Sequence, residues 1–473
     1  MSAASHDDLA FSTATELTSA LQRREVSSQE LLDVYLARLE RFNGELNAIV
    51  TVDSEGARAS AQAADDASAR GDSLGPLHGL PMTIKDCFDV AGMRTTVGDP
   101  DYEQYVPAID APLVARLRAA GAVIFGRSNV PYRLKDLQTC NPVFGCTRNP
   151  WNVSVTPGGS GGGAGAAVSA GLTALDVSGD MGGSTRVPAS HCGVFGLKPT
   201  YGIIPNLGVL PLPPGHRAEV DMESPGPMGR AIEDLELALD VMAGPRDDLA
   251  RAWSLSLPPP RATRLADFRV GVWLDDPAYP TEGAVLDVLR HAADHLADAG
   301  ARLDEISRPG SLEEVVDLFQ QLFFANIGGS MSDDDYAVAA GDSPVKATYR
   351  SWYKANERRA QLRHRWSQYF DEFDILLAPC CVVAAHANSD EPDIMKRTIK
   401  INNVESPYLN LMAWAAPANA LHLPAVAVPA GLTADGLPVG LQIIAGYLED
   451  RTALEAGRQI SEAIGGYQRP PGY

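Results

Sequence analysis

Two serines, Ser160 and Ser184, each follow a Gly-Gly pair and stand 24 residues apart within residues 156–200. The segment joining them is built of small residues. Glycine at this density strips side chains from the backbone and lets N–H groups converge on a bound anion. Serine hydroxyls set in such loops fit acyl transfer, where preorganised donors receive the oxyanion. No histidine accompanies the pair at a triad-like spacing. The candidate base is a lysine, Lys85, at the end of the apolar run Gly79-Leu80-Pro81-Met82-Thr83-Ile84-Lys85-Asp86. Apolar surroundings disfavour an ammonium ion, and a neutral amine accepts protons.

Each residue also has a plainer reading. Ser184 after Gly-Gly resembles a helix cap, and Ser160 a turn residue. Lys85 at a strand end is ordinarily solvated, although Pro81, Met82, Ile84 and Phe88 are uncomfortable neighbours for that. Gly158 to Gly162 spells G-x-S-x-G, the strand-to-helix elbow of other serine hydrolases. That reading needs a downstream acid and histidine; His386 and His422 exist, but neither lies in a supporting motif. A nucleotide loop is disfavoured because GK[ST] is missing and the GxGxxA matches follow no clear strand.

Several motifs, in order, resemble those of the amidase signature family. Gly158-Gly159-Ser160-Gly161-Gly162-Gly163-Ala164 is similar to its GGSSGGS. Ser178-Gly179-Asp180-Met181-Gly182-Gly183-Ser184-Thr185-Arg186-Val187-Pro188-Ala189 is similar to GTDxGGSxRxPA, and Gly196-Leu197-Lys198-Pro199-Thr200 to GLKPT. The run ending at Lys85-Asp86 resembles GxPxxxKD, and Gly126-Arg127-Ser128-Asn129 resembles GKTN. Leu423-Pro424-Ala425 and residues 436–442 and 468–472 match as well, so the resemblance spans nearly the whole chain.

It implies an α/β fold: a large mixed, twisted sheet of about ten strands covered by helices on both faces. Residues 1–473 form one domain in this view, with a helical and β-α-β excursion at about 265–375. The implied chemistry is amide hydrolysis with Ser184 as nucleophile, Ser160 as proton bridge and Lys85 as base. Backbone N–H groups of Met181, Gly182, Gly183 and Ser184 form the oxyanion hole, and a cis peptide bond joins Gly159 to Ser160. Asp180 and Arg186 pin the nucleophile loop, and Lys198 is structural. No metal or other cofactor is implied, and the partner is a small-molecule amide. Two alternatives stay open: the amidase-type subunit of a tRNA-dependent amidotransferase, and an inactive binding protein. Gly161 and Gly179 stand where relatives carry hydroxyl residues, removing hydroxyls near the site. Cys380-Cys381 falls in a segment that can line the substrate pocket.

Composition sets outer bounds. At 473 residues and 45% hydrophobic the chain can bury a large core. A formal charge of −21 argues against nucleic acid or an anionic membrane as partner. The six cysteines, at 87, 140, 146, 192, 380 and 381, have no zinc spacing and read as reduced core thiols. No signal peptide and no run of ~20 apolar residues is present, so a cytoplasmic location is expected. Oligomeric state is open, with a homodimer as the working expectation.

The positioning elements follow from periodicity and punctuation. Ser27-Ser28-Gln29-Glu30 is a capping box opening a helix, and others are expected over 13–24, 54–70 and 113–120. A strand is expected at 122–125, and a helix at 162–170 whose positive end faces Ser160. Residues 269–273, 282–299 and 301–306 read as β-α-β, followed by helices at 311–325 and 345–370. Strands at 423–428 and 439–445 and a helix at 450–462 close the chain.

Overall fold

The first long helix, Ser28–Leu46, starts where the capping box places it: Ser27 Oγ accepts from Glu30 N at 3.1 Å, and Ser27 N donates back to Glu30 Oε2 at 2.9 Å. Ser54–Arg70 ends at Gly71 in the left-handed region, φ 77°, the usual helix stop. The computed structural model describes residues 6–72, 74–212, 214–331, 333–338 and 345–473.

An 11-stranded mixed sheet organises the chain. Across it lie Ile49–Val52, Val123–Ser128, Pro81–Lys85, Asp176–Asp180, Ser224–Gly229, Phe195–Lys198, Ala425–Leu432, Pro438–Ala445, Ile375–Pro379, Arg269–Val272 and Arg302–Asp304. Pro81–Lys85 runs parallel to both of its neighbours, whereas the central strands from Asp176–Asp180 to Ile375–Pro379 pair antiparallel. The expected β-α-β unit forms from Arg269–Val272, Gly283–Asp298 and Arg302–Asp304. Its strands extend the same sheet through a parallel pairing with Ile375–Pro379.

Helices cover both faces because alternate side chains of the central strands are apolar on either side. Val426 and Val428 join the cluster that holds Leu454 and Ile460 of the last helix. Ala427, between them, packs with Ala189 of Arg186–Cys192. A second core gathers Phe319 and Leu322 of Leu312–Gly329 with Leu362 and Trp366 of Tyr349–Glu372. Among the described residues, no helix is long and apolar enough to cross a membrane.

One cysteine expectation is corrected. Cys140 and Cys146 are disulfide-bonded, not free. They sit opposite each other in a two-stranded antiparallel turn with Cα atoms 4.0 Å apart, a proximity that a spacing of six residues does not disclose. Cys87, Cys192, Cys380 and Cys381 are free and buried.

Candidate active site

Pro81–Lys85 and Asp176–Asp180 end side by side, and their carboxyl ends open onto one cavity. This is where open α/β sheets place ligands. Arg127, fully buried on the adjacent strand, donates to the carbonyls of Lys85 (3.0 Å) and Phe88 (2.5 Å), fixing the chain as it leaves the strand. The Asp86 carboxylate turns away from the cavity and accepts from Thr96 N (3.1 Å) and Oγ1 (2.6 Å).

Lys85 is 1% exposed, and its Nζ donates to Ser160 Oγ at 2.8 Å and to the Gly179 carbonyl at 3.2 Å. Ser160 follows the cis Gly159–Ser160 peptide and closely precedes the helix Gly162–Ser169. Gly161 N donates to the Ser184 carbonyl at 3.0 Å, tying the two serine loops together. Lys85, Ser160, Met181, Gly182 and Ser184 all line a cavity of about 390 Å³. Its remaining wall is mostly apolar, with Leu137, Phe323, Phe324 and Met412 among the lining side chains.

The loop that carries Ser184 is held by a buried ion pair. Arg186 Nε and Nη2 each lie 2.9 Å from an Asp180 oxygen. Asp180 also accepts from Gly183 N at 2.8 Å, Thr185 N at 3.2 Å and Asn419 Nδ2 at 3.0 Å. Arg186 reaches on to the Ala415 carbonyl at 3.2 Å and to Gln442 Oε1. Burial alone would raise the Asp180 pKa, but the charge and hydrogen bonds of Arg186 hold it well below the carboxylate range. The Gly183 amide is thereby committed to Asp180, which leaves the amides of Met181, Gly182 and Ser184 as candidates among the four expected oxyanion donors.

Removing Arg186 would strand the buried Asp180 charge. Arg186→Ala is therefore expected to lower stability by about 3–5 kcal/mol, and Asp180→Ala with Arg186→Ala together by less than the two single changes added. Urea titration of the three variants checks this.

The two glycines at hydroxyl positions prove to be matched to their surroundings. A Cβ on Gly161 would lie 2.4 Å from Ser178 Oγ, so the strand residue Ser178 fills the space a side chain at 161 would need. One hydroxyl is thus shifted rather than lost, and it is buried without a hydrogen-bond partner among the described residues. A Cβ on Gly179 would lie 2.0 Å from Glu223 Oε1. Glu223, which lines the cavity, is not singled out by the sequence; its only signal is an acid at the start of the buried strand Ser224–Gly229.

The other candidate side chains fall elsewhere. Lys198 Nζ bonds the Pro199 (2.8 Å) and Leu423 (2.9 Å) carbonyls and Ser224 Oγ (3.3 Å), and burial pushes its pKa down to about 7. His422 meets Asp221 Oδ1 at 3.0 Å and Arg359 Nη1 at 2.9 Å, with burial pushing its pKa down to about 4. Neither His422 nor His386 lines the cavity. His191 is buried, its pKa pushed down to about 3 by burial, consistent with packing. Cys380 and Cys381 belong to the core rather than the cavity wall. Among the described residues no group of three or more His, Cys, Asp or Glu is placed to hold a metal ion.

Comparison with known proteins places the chain in a family. The model of the family described as Amidase matches residues 30–454. The chain is 34% identical to a glutamyl-tRNA(Gln) amidotransferase subunit from Roseiflexus sp. (strain RS-1), over 97% of this chain and 98% of that protein. It is 32% identical to the indoleacetamide hydrolase of Bradyrhizobium diazoefficiens, over 96% and 86% respectively. Among solved structures, 6-aminohexanoate cyclic dimer hydrolase complexed with substrate is similar with a TM-score of 0.81, at 26% identity over 98% of this chain and 99% of that one.

Proposed function

This chain belongs to the Amidase family, and from that premise we propose that it hydrolyses a carboxylic amide through an acyl-enzyme on Ser184. The observation that carries this is the 2.8 Å contact between buried Lys85 Nζ and Ser160 Oγ, in the cavity that Ser184 also lines. Neutral Lys85 takes a proton from Ser160, Ser160 takes one from Ser184, and Ser184 Oγ attacks the carbonyl carbon. The oxyanion forms beside the Met181, Gly182 and Ser184 amides, a type of contact worth about 3–4 kcal/mol per donor. The relay then returns the proton to the leaving nitrogen, and the C–N bond breaks. Water, deprotonated by the same relay, cleaves the ester and restores Ser184. The apolar wall suits an acyl group with an apolar body.

A serine-directed phosphonylating reagent tests the assignment. It is expected to modify Ser184 alone, with activity lost in step, as read by peptide mapping. Thiol reagents are expected to leave activity intact, because burial pushes the Cys381 thiol pKa up to about 11 and the Cys87 thiol to about 12. Modification of Ser160 or of a cysteine in step with inactivation would move the nucleophile.

A second reading rests on the 34% identity to a component of an amidotransferase. In that role the same relay would release ammonia from an amide donor for a partner's use. Hydrolysis of amides by the isolated chain favours the first reading. Turnover of glutamine only in the presence of added partner proteins and tRNA favours the second. The net charge of −21 weakens long-range attraction to RNA, so in that role the partner is expected to supply most of the tRNA contact.

A further inference from the structure

Glu223 is only 9% exposed, yet its carboxylate has no hydrogen bond or ion pair among the described residues. It belongs to the wall of the cavity that holds Lys85, Ser160 and Ser184. A buried carboxylate left without a partner is costly, so it either takes up a proton or meets a donor supplied from outside. The two nearby lysines are engaged elsewhere: Lys85 with Ser160 and the Gly179 carbonyl, Lys198 with Pro199, Ser224 and Leu423. Gly179 makes the room. Any Cβ there would collide with Glu223 Oε1 at 2.0 Å, and Gly179 lies two residues before Met181, where the oxyanion loop begins. The carboxylate therefore borders the chain that leads into the Ser184 loop and shares its cavity.

We propose that Glu223 determines specificity by receiving a positively charged nitrogen carried on the acyl part of the substrate, close to the scissile carbonyl. The preferred substrates are amino-substituted amides with an apolar body: the ammonium meets Glu223, and the hydrocarbon lies against Phe323 and Met412. The assignment rests on the amidase reading and adds the substrate class to it. Burial pushes the Glu223 pKa up to about 7, with Lys85 and Lys198 opposing the rise and Asp180 adding to it; Cys87 is the other titratable group nearby. The preference for a cationic substrate should accordingly strengthen as pH rises through about 7, where the carboxylate ionises.

The test compares 3-amino-3-phenylpropanamide with 3-phenylpropanamide, which differ only in the amine. At pH 8 the native protein is expected to favour the amino-amide at least tenfold in kcat/KM. Glu223→Gln is expected to bring the ratio within about threefold of unity and to remove its rise with pH. Gly179→Ala, which pushes the carboxylate aside without neutralising it, is expected to shrink the ratio as well. Calorimetric affinities of both amides in a Ser184→Ala background give the same comparison without turnover. Equal handling of the two amides by the native protein, in rate or affinity, overturns the assignment. So does a Glu223→Gln protein that weakens both amides equally. If neither amide is hydrolysed although the affinities differ as expected, the amidase reading fails while the Glu223 assignment stands.

Discussion

Ser184→Ala is expected to lower kcat on any amide substrate at least about 10⁴-fold while leaving the unfolding midpoint and substrate affinity nearly unchanged. Only one hydroxyl is lost, and Ser184 takes part in the fold through its carbonyl, which accepts from Gly161 N at 3.0 Å. Ser160→Ala is expected to be almost as damaging, because members of one relay act as a unit and their losses do not add. The double variant should therefore be scarcely worse than either single one. Single-turnover kinetics with a chromogenic amide, alongside urea titration, checks all three. A Ser160→Ala protein within about tenfold of the native kcat would remove Ser160 from the relay.

The second large effect concerns the base. Lys85→Ala is expected to lose nearly all amide hydrolysis and to retain distinctly more of its ester hydrolysis. An amine leaves only when protonated, whereas an alkoxide leaves with less help. Lys85→Arg is not expected to rescue either reaction, since guanidinium stays charged and cannot accept the Ser160 proton. The comparison is an amide and an ester sharing one acyl group, measured across pH for the native protein and both variants. An active Lys85→Arg protein would place the base elsewhere.

How far the sequence discloses this arrangement depends on the range over which each feature is encoded. Ser27 and Glu30 announce a helix start because the capping box is local, and Gly71 announces an end for the same reason. Lys85, Ser160 and Ser184 are legible because their spacing and flanking glycines carry a family pattern. Ser224–Gly229 is not, since a Pro-Gly-Pro run argues against a central strand. It is accommodated between Asp176–Asp180 and Phe195–Lys198, the latter pairing with it only at Phe195 and Gly196. The sequence shows hydroxyls missing at 161 and 179 but not what stands in their place. The compensations, Ser178 and Glu223, depend on which side chains share a volume, and that is settled only when strands are set side by side. The Cys140–Cys146 bond belongs to the same class of tertiary fact.

Arg186 carries a further consequence. Its bonds to Ala415 and Gln442 span 229 and 256 residues of chain. During synthesis residues 180–186 emerge long before either partner exists, so the Asp180–Arg186 pair can close early while its anchorage to Ala415 and Gln442 waits for the last strands. Closing contacts across such separations is entropically slow. If the proposed relay operates, its reactivity is expected to switch on at the end of folding: an unfinished chain holds the serines, the lysine and the local ion pair, but not the distant contacts that anchor them.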